Sequence, residues 1–260
     1  MPTSPGPAAP RPTALIWAGL LAAGLIAGLI AWLGGEAALD FIQPFKREVN
    51  SKGMMLKIAD RWDQMTAEAR NAAVAFVILG GAIGACLGLA GGLIRGSTRR
   101  GVVAAFLGLG IGAVGSVLMA VAVLSPYNAY QFVHPDEASQ NLLLPLLVHS
   151  SIWAVAGLAG GLACGFGFRT GADDRRLIIR AMLGGVIGAL VGTIAIDLTG
   201  SLIFEGFDGG NLNAATSATR CATRLAVGLG TAAGVALAVT DRRLRPVTPA
   251  EGGDRAPEPA

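Results

Sequence analysis

Apolar residues run along this chain in long, nearly unbroken blocks, not in the short alternating patterns of a soluble domain. The first, 14–33, is twenty residues long and carries Trp17 and Trp32 near its ends. A helix of about twenty residues crosses a hydrocarbon core of about 30 Å, and tryptophan favours both interfaces. Five further blocks follow, at about 72–94, 102–124, 142–168, 181–204 and 221–240. The last is the weakest, because its apolar run reaches spanning length only if Arg224 is drawn into the bilayer. The pattern predicts an all-α polytopic transmembrane helix bundle of six spans over 14–244. A Pro-rich tail, 1–13, and a polar tail, 245–260, are expected to be disordered. The first block is longer than the 7–15 residues of a signal-peptide core and meets Glu36 without a clear cleavage site. It therefore reads as a retained anchor.

The connection 36–71 has a different pattern. Met55, Ile58, Ala59, Trp62 and Met65 recur at spacings of three and four, while Lys57, Asp60, Arg61 and Asp63 occupy the other faces. This predicts a short amphipathic helix over 54–69, lying on the membrane surface or capping the bundle, and introduced by a turn at Asn50–Gly53.

Composition agrees with a membrane protein. Hydrophobic residues make up 53% and charged residues 14%, which excludes a disordered chain, and the 38 glycines follow no collagen period. Three cysteines, Cys86, Cys164 and Cys221, show no C-x-x-C spacing, so neither a disulfide framework nor a metal site is indicated. His134-Pro135-Asp136-Glu137 reads as a helix start, not as a set of metal ligands. No cofactor is expected. A net charge of +3 leaves no nucleic-acid footprint, and the expected surroundings are the lipid bilayer. Arginines cluster after the second, fourth and sixth spans: Arg95, Arg99 and Arg100; Arg169, Arg175 and Arg176; Arg242, Arg243 and Arg245. Basic short loops stay cytoplasmic, so both termini are expected inside, against the opposing basic residues of 36–71. A chain rich in Ala, Gly and Arg with only three lysines suggests a GC-rich bacterial genome, and hence the bacterial inner membrane.

Glycine spacing is the strongest structural signal. Gly80, Gly84 and Gly88 recur every four residues; so do Gly157, Gly161 and Gly165, and Gly184, Gly188 and Gly192. Shorter pairs are Gly24/Gly28, Gly108/Gly112 and Gly230/Gly234. Residues four apart share a helix face, and glycine lets backbones approach where lipid supplies no hydrophobic drive. The hexapeptide GLAGGL occurs at 88–93 and 157–162, and DRRL at 174–177 and 241–244, which suggests a parallel repeat of spans 2–3 and 4–5. Gly110, Gly112 and Gly115 fit the dinucleotide fingerprint G-x-G-x-x-G, but they lie inside an apolar helix without the strand and turn that this motif needs.

Ionisable groups within spans are costly and default to functional candidates. His149, Asp197 and Arg224 fall at similar depths of antiparallel spans and form a candidate intramembrane polar cluster. Ser150, Ser151, Thr193 and Thr231 lie beside them as secondary polar groups. Asp197 paired with Arg224, with His149 sharing the carboxylate, would bind an ion, relay protons or recognise a small polar solute. The bland reading is a salt bridge that sets helix register. Two classes of function follow: a small-solute, ion or proton transporter or channel-like protein, and a non-catalytic scaffold or complex subunit. The second would pack its glycine faces against a second copy or a membrane partner. An enzyme is not expected: Ser150 and Ser151 follow His149 on the same helix, and neither is three or four residues from it.

Overall fold

The computed structural model describes residues 12–51, 54–134, 137, 143–169, 174–203 and 216–241. Outside these residues lie nearly all of both predicted tails, Pro135-Asp136, the second DRRL copy beyond Asp241, and the cluster Arg242, Arg243 and Arg245. Six helices are long and apolar enough to cross a membrane. They are α1 (Thr13–Ala38), α2 (Arg61–Ile94), α3 (Thr98–Val133), α4 (Leu143–Phe168), α5 (Arg175–Ile203) and α6 (Ser217–Thr240). The predicted bundle is present, and each apolar block falls within a helix.

Local chemistry sets the helix ends. The Asp60 carboxylate accepts from the Trp62 N–H to open α2, and Ser97 accepts from the Arg100 N–H to open α3. Thr216 and Thr219 form a reciprocal capping box at α6. Between α2 and α3 the chain turns through Gly96 at φ 83°, a left-handed conformation that favours glycine. The N–H groups of Gly96 and Ser97 donate to the Leu93 and Gly92 carbonyls and close the end of α2.

Consecutive helices run antiparallel, and glycine sets their separation. A Cβ on Gly80 or Gly88 would lie 2.5–2.6 Å from the carbonyl oxygen of Gly112 or Ala104 on α3, and one on Gly84 would overlap the Gly108 backbone. Gly157, Gly161 and Gly165 meet α5 in the same way at Gly185, Ala181 and Ile178. Gly184, Gly188 and Gly192 meet α6 at Gly234, Gly230 and Ala226, while Gly24 and Gly28 meet α6 from the side of α1. The stripes are therefore consumed between helices of one chain.

Helices α2 and α4 lie side by side and parallel, and α2 is the most enclosed of the six. Phe76 packs edge-on against Trp153, and Gly160 faces Ile83 and Leu87. This register sets Gly80, Gly84 and Gly88 level with Gly157, Gly161 and Gly165. The two GLAGGL copies are not level: Gly88 touches Gly167, well beyond the start of the second copy. The likeness between the α2–α3 and α4–α5 hairpins resides in the glycine triplets, not in the hexapeptide.

The connection 36–71 departs from expectation. In place of a separate amphipathic helix over 54–69, the chain forms an antiparallel hairpin, β1 (Lys46–Ser51) and β2 (Met54–Ala59). Residues 61–69 then belong to α2 itself, which at 34 residues is about 51 Å long and exceeds the hydrocarbon core. The surplus pairs with the end of α3: Trp62 packs edge-on against Phe132 at 5.3 Å, and the Asn128 amide donates to the Met65 carbonyl. This stem carries the β-hairpin, and the face of the bundle on that side is called the hairpin face below.

Gly84→Ala is expected to destabilise the bundle by about 1–3 kcal/mol, since the added carbon meets backbone that cannot rotate away. Gly110→Ala, with nothing within 4 Å of its Cβ position, should be neutral or stabilising by up to about 1 kcal/mol. Thermal unfolding in detergent distinguishes them; equal effects at the two sites would contradict the helix pairing.

Candidate polar site between helices α1, α2 and α6

Helix α6 brings two arginines toward α1 and α2 from its first two turns. Arg224 lies seven residues in from Ser217, about 10 Å along the axis, and is only 7% exposed. One of its terminal nitrogens, Nη1, donates to the Ala75 carbonyl of α2 at 3.1 Å and to the Ala31 carbonyl of α1 at 3.4 Å. Its guanidinium carbon stands 6.0 Å from the centre of the Phe76 ring, within the range of a cation–π contact. Gly35 makes room for this head group: a Cβ there would lie 3.1 Å from Cζ and both terminal nitrogens.

One turn nearer the hairpin face, Arg220 grips Glu36 of α1 with two hydrogen bonds, Nε to Oε1 at 2.7 Å and Nη2 to Oε2 at 2.9 Å. Both side chains are largely buried, so solvent screens this forked pair less than a surface bridge. Beside it the Trp32 indole N–H donates to the Ser217 hydroxyl. Asn71 completes the α1–α2 junction. Its oxygen accepts from the Ile42 N–H at 2.8 Å, and its amide donates to the carbonyls of Leu39 and Ile42. Among the described residues two cations and one carboxylate therefore meet here, an excess of one positive charge in a largely buried setting.

Of the predicted trio, the side chains of Arg224 and His149 are described. Arg224 is at the expected depth, and its partners among the described residues are backbone carbonyls and an aromatic ring on α1 and α2. Asp197 lies in α5, with its side chain outside the described residues. Residue 197 lies beyond the α5–α6 contacts of Gly192 with Ala226, toward the start of α6. His149 is half-buried on α4, one turn from Trp153, and is not among the groups that hold Arg224. Of the secondary groups, Ser151 and Thr193 donate to carbonyls four residues back on their own helices. Ser150 is half-buried on α4, and the Thr231 hydroxyl is buried without a hydrogen-bond partner. The Trp153 indole nitrogen is likewise buried and unpaired.

Glu36, Arg220 and Asn71 were not candidates from the sequence. Glu36 read as the charge that ends the first span, and Arg220 lay just outside the sixth. The available signal was glycine on both helices, Gly24 and Gly28 on α1 and Gly228 on α6, apart from the Gly230/Gly234 pair that α6 turns to α5. Once α1 and α6 pair antiparallel through Gly24 and Gly28, a charge at 36 must face one near 220. Among the described residues no group of three or more metal-ligating side chains converges.

A double-mutant cycle with Glu36→Gln and Arg220→Gln should return a coupling of about 1.5–3 kcal/mol in unfolding free energy, as expected for hydrogen bonds between charged groups. Additive single effects would mean that the pair contributes nothing to the bundle. Comparison of the chain with protein-family models, with curated proteins and with solved structures returned no match.

Proposed function

We propose that the protein is a non-enzymatic, multi-pass protein of the bacterial inner membrane that binds and passes a small anionic solute, with Arg224 as the binding cation. The observation that carries this reading is a guanidinium enclosed by three helices with no carboxylate in ion-pair contact among the described residues. Its Nη1 donates to two neutral carbonyls, of Ala75 and Ala31. An arginine at the centre of a span costs about 2.5–3.5 kcal/mol on insertion scales, and such residues are functional candidates by default. The remaining donors of the guanidinium fork suit a carboxylate, phosphate or halide. Arg220 adds to the local positive potential, and the described carboxylate nearest to both arginines, Glu36, is held by Arg220.

A second reading draws on the glycine faces. Because they are occupied within the chain, a scaffold or complex subunit would present the large apolar side chains of α3 and α5 instead, such as Phe106, Leu118, Leu183 and Leu198. In that reading Arg224 serves to tie α1, α2 and α6 together.

Chloride, acetate and inorganic phosphate are suitable probes. At least one should raise the melting temperature of the detergent-solubilised wild type, and the same anion should leave proteoliposomes faster than it leaves empty vesicles. Arg224→Met should lose both effects, and Arg224→Lys should retain part of them. A wild type indifferent to all three anions, or an Arg224→Met variant that responds equally, would favour the subunit reading.

We further propose that the hairpin face is external and both termini are cytoplasmic. A reporter fused after residue 97 should then read as cytoplasmic and one at residue 60 as external. The reverse result would invert the orientation.

A further inference from the structure

The β-hairpin is amphipathic in an inverted sense. In the register Arg47↔Ile58, Glu48↔Lys57 and Val49↔Leu56, directly paired residues share a face and successive residues alternate. One face therefore carries Val49, Met54, Leu56 and Ile58 with Arg47 at its edge, and the other carries Lys46, Glu48, Asn50 and Lys57 with Met55 and Ala59. The charged face is the one turned toward the rest of the protein. Lys46, Glu48 and Lys57 line a cavity of about 890 Å³ together with Asp63, Thr66 and Arg70 of the stem, and no residue of the apolar face lines it. Lys57 also bridges to Glu48 at 3.5 Å.

A hairpin docked on a protein in water ordinarily turns its apolar face inward. Here Val49, Leu56, Ile58 and Met54 are 47%, 43%, 49% and 65% exposed and none of them lines the cavity, while Arg47 at the edge of this face reaches back to Asp63 of the stem at 3.9 Å. Phe41 and Phe45, in the segment that leads from α1 into the hairpin, are also strongly exposed. A free two-stranded hairpin is marginal in water, so this face needs an apolar contact.

Charge selects what supplies that contact. The segment 46–59 holds Lys46, Arg47, Lys52 and Lys57 against Glu48 as its one acidic residue, and all three lysines of the chain are among them. A second copy would oppose like charges, whereas lipid phosphates would be complementary. Geometry permits this contact. The stem from Arg61 to the apolar block starting at residue 72 is about 16 Å long, and a six-residue strand spans about 20 Å. The cavity also joins the third cross-strand pair, Glu48↔Lys57, to Arg70, two turns down the stem. Exposed aromatic rings at this level suit the water–lipid interface.

We propose that the hairpin is a membrane-surface element: Val49, Met54, Leu56 and Ile58 seat in the headgroup layer of an anionic bilayer, and the exposed long side chains of Lys46, Arg47 and Lys57 extend past the hairpin edges to lipid phosphates. This holds whether or not Arg224 binds an anion, since it concerns a different element and a different ligand.

The test uses the full chain with Cys86, Cys164 and Cys221 replaced by Ala, reconstituted in phosphatidylcholine vesicles with or without phosphatidylglycerol. A small environment-sensitive fluorophore is placed at Leu56→Cys or, on the opposite face, at Glu48→Cys. In phosphatidylglycerol, brominated lipid should quench the label at 56 several-fold more than the label at 48, and aqueous iodide should do the reverse. The contrast should shrink without anionic lipid and in Lys46→Glu/Lys57→Glu. Equal iodide quenching at both positions would overturn the proposal. So would a label at 56 shielded from both quenchers, since that would place protein on this face. Unfolding curves matching those of the unlabelled chain establish that the labelled proteins are folded.

Discussion

Every other feature of this protein depends on backbones approaching to within carbonyl contact at glycine. In lipid, helices gain nothing by hiding apolar side chains from one another, so association must come from dispersion and close fit. At Gly84, Gly161 and Gly188 the place of a side chain is taken by the carbonyl of the facing helix. This contact sets helix height as well as distance, because a shift along the axis would bring a bulky residue against the opposing backbone. α6 illustrates the consequence. It is less hydropathic than most of the other spans, yet glycine contacts with α5 on one side and α1 on the other enclose it. Only because α6 is held so closely does Arg224 reach carbonyls of both α1 and α2.

The spans and the glycine faces were legible in the sequence because both follow from periodicity within a single helix. What one helix meets was less legible. The trio His149, Asp197 and Arg224 was assembled from depth and from the polar and small residues that share each helix's own face, and neither tells which neighbour that face meets. Arg224 turns toward α1 and α2, whereas α6 meets α5 through Ala226, Gly230 and Gly234. The repeat was misplaced for a related reason. GLAGGL is a textual match, while the physical equivalence is the spacing of residues that touch a neighbour, and this aligns Gly80 with Gly157.

The segment 54–69 failed on period. Met55, Ile58, Ala59, Trp62 and Met65 satisfy helical spacing, but Met54, Leu56 and Ile58 equally satisfy the alternation of a strand, and Leu56 and Ile58 pair with Val49 and Arg47 of β1. Asp60 then begins the helix, so one run of apolar residues is divided between two structures. The fold is thus six apolar helices together with a small amphipathic sheet, and the sheet lies where the sequence had placed a surface element.

The two ends of the bundle differ in kind. At the arginine-rich end a glycine turn joins α2 to α3 within a few residues, and Arg100 donates to the Arg169 carbonyl across the α3 and α4 ends. At the hairpin face α2 and α3 exceed the membrane thickness, Asn71 and the Glu36–Arg220 pair tie α1 to its neighbours, and the cavity lined by the hairpin opens. Among the described residues charge enters the bundle from the hairpin face, through Glu36 and Arg220 to Arg224. If Arg224 binds an anion as proposed, the solute would arrive from that face and meet the Glu36–Arg220 pair on the way. The carboxylate would repel the anion while Arg220 attracted it, so the strength of that ion pair would tune access to the deeper cation.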